Sequence, residues 1–223
     1  MDVSTAIQQR ISTRAFLDKA ISKTELEDWL TTAQRAPSGG NLQPWRVIAL
    51  AGDEKQAVTD MAVETLAGKF KGEPTDRPVY PPDLWEPYDS RRRAIGEQMY
   101  AALDIPRENK PARMAWFANN FRFFGAPVAL FIVLDERMGH GQWGHTGMFL
   151  QTLSLLAVER GWASCMQECW AILRPSLKAH LGLGDTEMVW CGMALGYADK
   201  DAPVNSVRSG RAELEEFVEF RGF

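Results

Sequence analysis

Four short apolar runs, far apart in the chain, set the strongest limit on its fold. They are residues 45–51, 128–134, 162–167 and 188–195, and each reads as a strand, 45–51 as a buried one. Helical signals fill the intervals. Residues 2–9 suit a short helix. Ser22 followed by Glu25 is a capping box, and Leu26, Trp29, Leu30 and Ala33 continue as a stripe at helical spacing. That helix ends near Ala36, because Pro37-Ser38-Gly39-Gly40 is loop chemistry. Further helices are expected over about 53–67, 91–103, 110–120, 145–160 and 174–181, the span 145–160 being poor in charge and therefore buried. Helices outweigh strands and the two are interspersed, so the expected class is α+β, in one domain covering residues 1–223.

One stretch fits neither pattern. Residues 71–90 hold Pro74, Pro78, Pro81, Pro82 and Pro87 together with Tyr80, Trp85 and Tyr88. Proline removes backbone donors, which excludes a regular helix or a central strand. A long aromatic excursion of this kind reads as a lid or a subunit-wrapping arm. With the helices after it, the expected lid spans about 71–124, where Trp85, Tyr100, Trp116, Phe121, Phe123 and Phe124 divide between core and pocket. Arg91-Arg92-Arg93 reads as a solvated helix face. The tail 212–220 sets Leu214, Phe217, Val218 and Phe220 among four glutamates, a face suited to a neighbour.

Composition removes several functions. A net charge of -4 lacks the basic surplus of a nucleic-acid binder. No run approaches the ~18 apolar residues of a membrane span, and MDVSTAIQQR is no signal peptide. Three cysteines, Cys165, Cys169 and Cys191, form no pairing pattern, which suits a reducing cytoplasm. There is no GxxxxGK[ST], no GxGxxG opening a helix, no CxxC or HExxH, and no GxSxG. Neither Cys165/Cys169 nor His140, His145 and His180 assembles a metal site or a hydrolytic pair, so no metal is expected. A chain with eight tryptophans and no acid–base or metal signature leaves its chemistry to a bound cofactor.

Three constellations bear on that cofactor. Arg10-Ile11-Ser12-Thr13-Arg14 alternates two guanidiniums with two hydroxyls, the equipment to fork onto a phosphate. Arg208-Ser209-Gly210-Arg211 repeats the chemistry near the other end, and two such clusters can converge on one phosphate. Pro37-Ser38-Gly39-Gly40-Asn41-Leu42-Gln43-Pro44-Trp45 joins a helix to a strand with small residues and amides, a loop able to approach a planar polar ring.

Arg-x-Ser-x-Arg followed by Ala-Pro-Ser-x-x-Asn-x-Gln-Pro-Trp resembles the N-terminal signature of the nitroreductase family. The likeness continues through Val128–Leu134, Gln167-Glu168 and the closing Pro-Val-Asn-Ser-x-Arg-x-x-Arg at 203–211. The resemblance implies a central, mostly antiparallel sheet flanked by helices, in an entwined homodimer with FMN at the subunit interface. It implies that Arg10, Ile11, Ser12 and Arg14 hold the phosphate, ribityl chain and pyrimidine edge. Arg208 and Arg211 would close on the phosphate, with Pro37, Ser38, Gly39 and Asn41 reaching the flavin from the other subunit. Met166, Gln167, Glu168 and Cys169 would lie beside the ring. Many members carry Pro-Ile-Glu-Gly there, so Met166 and Cys169 depart from the pattern while Glu168 keeps it. Cys169 reads as a small packing residue rather than a nucleophile. The implied activity is NADPH- or NADH-driven reduction of small nitroaromatic or quinone-like acceptors, with no side chain as catalyst. A reductive deiodinase-like activity on the same fold, or flavin binding without turnover, stand as alternatives. The deiodinase clamp of Glu, Tyr and Lys finds no convincing equivalent near Glu97 and Tyr100.

Overall fold

The computed structural model describes residues 1–69, 71–75 and 77–223. Strand β3 (Val128–Asp135) lies at its centre, and every residue from Val128 to Leu134 is buried. Strands β2 (Arg46–Ala51) and β5 (Glu187–Ala198) flank it, both antiparallel. Successive side chains of a strand point to opposite faces, and β3 accordingly feeds two cores. Val128, Leu130 and Ile132 enter one, with Trp29 of α2 (Lys23–Ala33) and Phe149 and Leu153 of α6 (His140–Glu159). Ala129, Phe131 and Val133 enter the other, with Val58 and Ala62 of α3 (Gly52–Gly68) and Leu177 of α7 (Arg174–His180). Helices therefore cover both faces of an antiparallel sheet, the expected α+β architecture.

Strand β5 runs past its expected end at residue 195 because its second edge has partners of its own. Strand β4 (Ala163–Gln167) pairs there antiparallel, and the two-residue β1 (Phe16–Leu17) pairs with Tyr197 and Ala198. The brief β1 has no signature of its own and exists through this partner. Helix α2 begins as the capping box requires: the Glu25 N–H donates to Ser22 Oγ at 3.2 Å and the Ser22 N–H to Glu25 Oε2 at 2.8 Å. Helix α6 starts at His140, ahead of the expected 145, where Trp143 Nε1 donates to the Met138 carbonyl at 3.0 Å and anchors the first turn.

Two α-helices follow the proline-rich stretch, α4 (Tyr88–Ala102) and α5 (Lys110–Phe117). The expected helix 110–120 ends early because the chain tightens into a 3-10 run over Ala118–Gly125. Phe123 and Phe124 there take left-handed φ of 51° and 54°. Bulky residues seldom adopt that conformation; here both rings are buried in the second core, which holds them. The stretch 71–87 has no regular helix or strand among its described residues, and Asp76, inside the expected lid, lies outside them. Residues 212–220 form only a 3-10 turn at Leu214–Glu216, with Phe217 and Phe220 exposed. No described helix is long and apolar enough to cross a membrane.

Gly192 shows how closely the second core is fitted. A Cβ built there would lie 2.7 Å from Trp170 Nε1, and the indole is wedged among three phenyl rings. Gly192→Ala is expected to destabilise the fold by about 1–3 kcal/mol through overpacking. A urea midpoint equal to that of the parent protein would show that the indole can yield.

Candidate active site

The N-terminal motif is held in place by backbone bonds. Ser12 forms a parallel bridge to Ser164, and the Thr13 N–H donates to the Ser164 carbonyl at 3.0 Å, so residues 12–13 extend the sheet beyond β4. The C-terminal motif is tied to it by Asn205. Its Oδ1 accepts from the Arg14 N–H at 2.8 Å, and its Nδ2 donates to the carbonyls of Ala15 and Asp199, each at 2.8 Å. This buried amide spans the 191 positions between the two motifs. It lies inside the Pro-Val-Asn-Ser motif of the sequence, yet its part as a latch was not read there; a polar residue between an apolar one and a turn was the available signal.

As a result Arg10, Ile11, Ser12, Arg14, Arg208 and Arg211 line one cavity of about 320 Å³. Arg10, Ile11 and Arg208 also border a neighbouring cavity of about 820 Å³. Elsewhere arginines meet carboxylates: Arg46 meets Glu187 at 2.8 Å, Arg113 meets Glu97 at 2.7 Å and Arg160 meets Asp28 at 2.6 Å. Among the described residues none of Arg10, Arg14, Arg208 and Arg211 has a carboxylate within ion-pair distance. Arg14 donates to the Ser12 carbonyl, Arg208 to those of Asn205 and Val207, and Arg211 to Ser209 and the Gly210 carbonyl. Four guanidiniums gathered without an acid leave a strong positive potential in a chain of net charge -4. Guanidinium forks are suited to phosphate.

The other end of β4 opens onto a cavity of about 520 Å³ that Met166, Gln167, Glu168 and Cys169 border together. Phe117, Leu150, Ile172 and Trp190 supply apolar walls, and Gly147 leaves the α6 side open. Gln167 is buried; its Nε2 donates to the Asn120 carbonyl at 2.6 Å, while its Oε1 has no hydrogen-bond partner. A buried acceptor left in this state is costly unless a ligand or water supplies a donor. Asn120 borders the same cavity, a position that the sequence reading did not assign to the site.

Burial pushes the Cys169 thiol well above its ordinary pKa, with Cys165 and Cys191 adding to the effect, and it pushes Cys191 up to about 12. Neutral thiols are poor nucleophiles, consistent with a packing role for Cys169. Cys169 is not among the residues with positive φ, so the side chain that stands where glycine is common adds no left-handed strain. Burial likewise raises the Glu168 carboxyl, against a smaller opposing pull from Arg174.

The loop expected to touch the flavin stands apart within the single chain. Pro37, Ser38, Gly39 and Asn41 border none of these three cavities. The loop is nevertheless well defined. Ser38 Oγ accepts from the Gln43 N–H at 2.9 Å, the Gly39 N–H reaches His145 Nδ1 at 3.3 Å, and Asn41 and Gln43 adopt φ of 54° and 49°. Glu97 and Tyr100 form no free clamp. Both Glu97 oxygens receive Arg113 at 2.7 Å, and the guanidinium lies 4.2 Å from the Tyr100 ring centre.

Comparison with known proteins identifies the family. The sequence profile described as the Nitroreductase family matches residues 7–197. A nitrobenzene nitroreductase of Ectopseudomonas oleovorans is 37% identical over 98% of this chain and 96% of its own length. A 4-nitrobenzoate reductase of Pseudomonas putida is 36% identical over 100% of this chain and 96% of its own. Among solved structures, the FMN and NADPH-dependent nitroreductase NfnB from Sphigopyxis sp. strain HMH superposes with a TM-score of 0.97 at 43% identity, covering 100% of both chains. Family profile, full-length relatives and fold agree, and the chain belongs to the nitroreductase family.

Proposed function

We propose that this protein is an FMN-dependent nitroreductase that uses NADPH or NADH to reduce small nitroaromatic or quinone-like acceptors. The observation that carries the reading is the cluster of Arg10, Arg14, Arg208 and Arg211, four guanidiniums on one cavity with no carboxylate partner among the described residues. Support also comes from Gln167 Oε1, an unpartnered buried acceptor at the second cavity. Both features fit FMN, which has an anionic phosphate at one end and a flat ring edged with N–H groups at the other.

Arg10, Arg208 and Arg211 would hold the phosphate, with Ile11 and Ser12 along the ribityl chain and Arg14 at the pyrimidine edge. Met166, Gln167, Glu168 and Cys169 would border the ring, and Pro37, Ser38, Gly39 and Asn41 would approach it from a second subunit. When bound, FMN would supply the two-electron hydride chemistry that links the nicotinamide to the acceptor in ping-pong turnover. The chain's own part is positioning and desolvation. Arg14 would place positive charge at the pyrimidine edge, where it would stabilise developing negative charge. Phe117, Leu150 and Trp190 exclude water from the reacting face. No side chain is assigned as general acid, so solvent supplies the proton.

A homodimer completes this reading. Helix α4 has no buried residue in the single chain, and Leu214, Phe217, Phe220 and Phe223 are exposed. Apolar surface of this kind marks an interaction face. The segment 71–124 would act as the lid of one domain, and the three free cysteines suit a reducing cytoplasm.

The decisive test is the visible spectrum of the purified protein, followed through anaerobic NADPH addition and then a nitroarene. The expected result is a set of flavin bands that bleach with NADPH and return with the oxidant. A colourless protein that takes up no added FMN would overturn the reading.

A further inference from the structure

The two ends of the chain that meet at the arginine cavity are not held equally. Residues 13–17 lie along the sheet: the Thr13 N–H donates to the Ser164 carbonyl, the Ala15 carbonyl accepts from the Asp199 N–H at 3.0 Å, and Phe16 and Leu17 pair with β5. Residues 203–211 have no strand or α-helix, only the 3-10 turn Pro203–Ser206. Between the attachments of the first segment, the Arg14 N–H goes to a side chain, Asn205 Oδ1, at 2.8 Å.

Asn205 is 6% exposed and commits both amide hydrogens, one to the Ala15 carbonyl and one to that of Asp199. Its main chain extends the connection. The Asn205 N–H closes the turn onto the Ala202 carbonyl at 3.0 Å, and the Asn205 carbonyl accepts from Arg208 Nη1 at 2.9 Å. One residue therefore joins the backbone of Arg14 to the guanidinium of Arg208. The position needs one acceptor and two donors, which an amide supplies; a carboxylate has no donor and a hydroxyl only one. An aspartate would also bring negative charge to the larger cavity that Asn205 borders with Arg10 and Arg208.

We propose that Asn205 is a positioning residue for the flavin phosphate: it fixes the turn that leads to Arg208 and Arg211 against the Arg10–Arg14 segment, so that the guanidiniums are assembled before the phosphate arrives. This rests on the FMN-dependent reading, which puts the phosphate in the cavity these arginines share. A site ordered in advance binds more tightly because less chain freedom is lost on binding. Asn205 acts through Arg208 and Arg211, not on the cofactor itself. Without its amide the C-terminal turn is released, while Thr13 and residues 15–17 keep their bonds to the sheet. The loss should fall on the phosphate and spare the ring.

The test compares FMN with riboflavin, which lacks only the phosphate, by fluorescence titration of the flavin-free protein. The parent is expected to bind FMN at least about a hundredfold more tightly, as two or more guanidinium–phosphate hydrogen bonds would give. Asn205→Ala should weaken FMN about ten- to hundredfold and change riboflavin by less than about threefold. Asn205→Asp, which adds a charge, should weaken FMN further. Equal losses for the two flavins in Asn205→Ala would mean a purely structural role and overturn the proposal. So would an unchanged FMN affinity in that variant, even with a loss in Asn205→Asp, where charge alone would explain it. A second readout needs no variant. In the flavin-free parent the Arg14 amide hydrogen should exchange slowly, because Asn205 holds it before any phosphate binds. Exchange at the rate of an unprotected amide overturns the proposal, whether or not Asn205→Ala folds. A parent that binds FMN no more tightly than riboflavin overturns the phosphate assignment itself, and this proposal with it.

Discussion

Arg10→Ala combined with Arg208→Ala is expected to weaken FMN binding by at least about a hundredfold, giving a protein that purifies without flavin colour. Each guanidinium–phosphate hydrogen bond contributes about 1.5–3 kcal/mol, so losing two removes about 3–6 kcal/mol, or roughly 10²–10⁴ in Kd. These two side chains make the sharpest test because both border the cavity shared by the terminal motifs, and among the described residues neither has a carboxylate within ion-pair distance. Removing them should cost the fold little, since Arg208 gives up only two backbone carbonyl contacts and Asn205 keeps the latch. The measurement is a fluorescence titration of apoprotein with FMN, beside a thermal melt to confirm folding. Arg46→Ala, which removes a surface pair with Glu187, serves as the control and should leave the affinity unchanged. A double variant that binds FMN within about threefold of the parent would place the phosphate elsewhere.

Trp170→Ala should have the largest effect on stability, about 3–5 kcal/mol from the cavity it leaves. The indole is fully buried and stands 5.0–5.1 Å, centre to centre, from Phe121, Phe123 and Phe131. Trp170→Phe should cost far less. It keeps the aromatic contacts, and the indole Nε1 has no hydrogen-bond partner to lose. Urea denaturation distinguishes the two variants by their midpoints. If both fall equally, ring packing is not what the residue contributes. The consequence reaches the site, because Trp170 sits in the 3-10 run Glu168–Leu173 that carries Glu168 and Cys169 to the cavity. A loosened run should therefore lower FMN affinity in Trp170→Ala and leave it near the parent value in Trp170→Phe.

Much of this architecture is legible in local pattern. The unbroken apolar run 128–134 reads as a strand, and β3 is that strand, buried on both faces. The Ser22/Glu25 box reads as a helix start, and both of its reciprocal bonds are present. Five prolines over 71–90 exclude regular structure, and none appears in the described residues before Tyr88. The spacing of Arg10, Ser12 and Arg14, matched by Arg208 and Arg211, suggests a shared anion site, and these residues do line one cavity. Such features depend on residues within a few positions of one another, or on a chemistry as specific as clustered guanidiniums.

What stayed hidden depends on distant partners. Strand β1 has two residues and is a strand only because β5 extends past Leu195 to meet it. The left-handed backbone of Phe123 and Phe124 contradicts local preference, and the second core enforces it. Asn205 as a latch, and Asn120 as a cavity wall, are consequences of chain crossings that no short window contains. By itself, the sequence determined most of the elements and the chemistry of the candidate cofactor residues, because periodicity, capping and charge are local properties. Only the tertiary structure decided which of those residues meet and which guanidiniums, among the described residues, remain without an acid. Those properties belong to surfaces assembled from residues up to 191 positions apart.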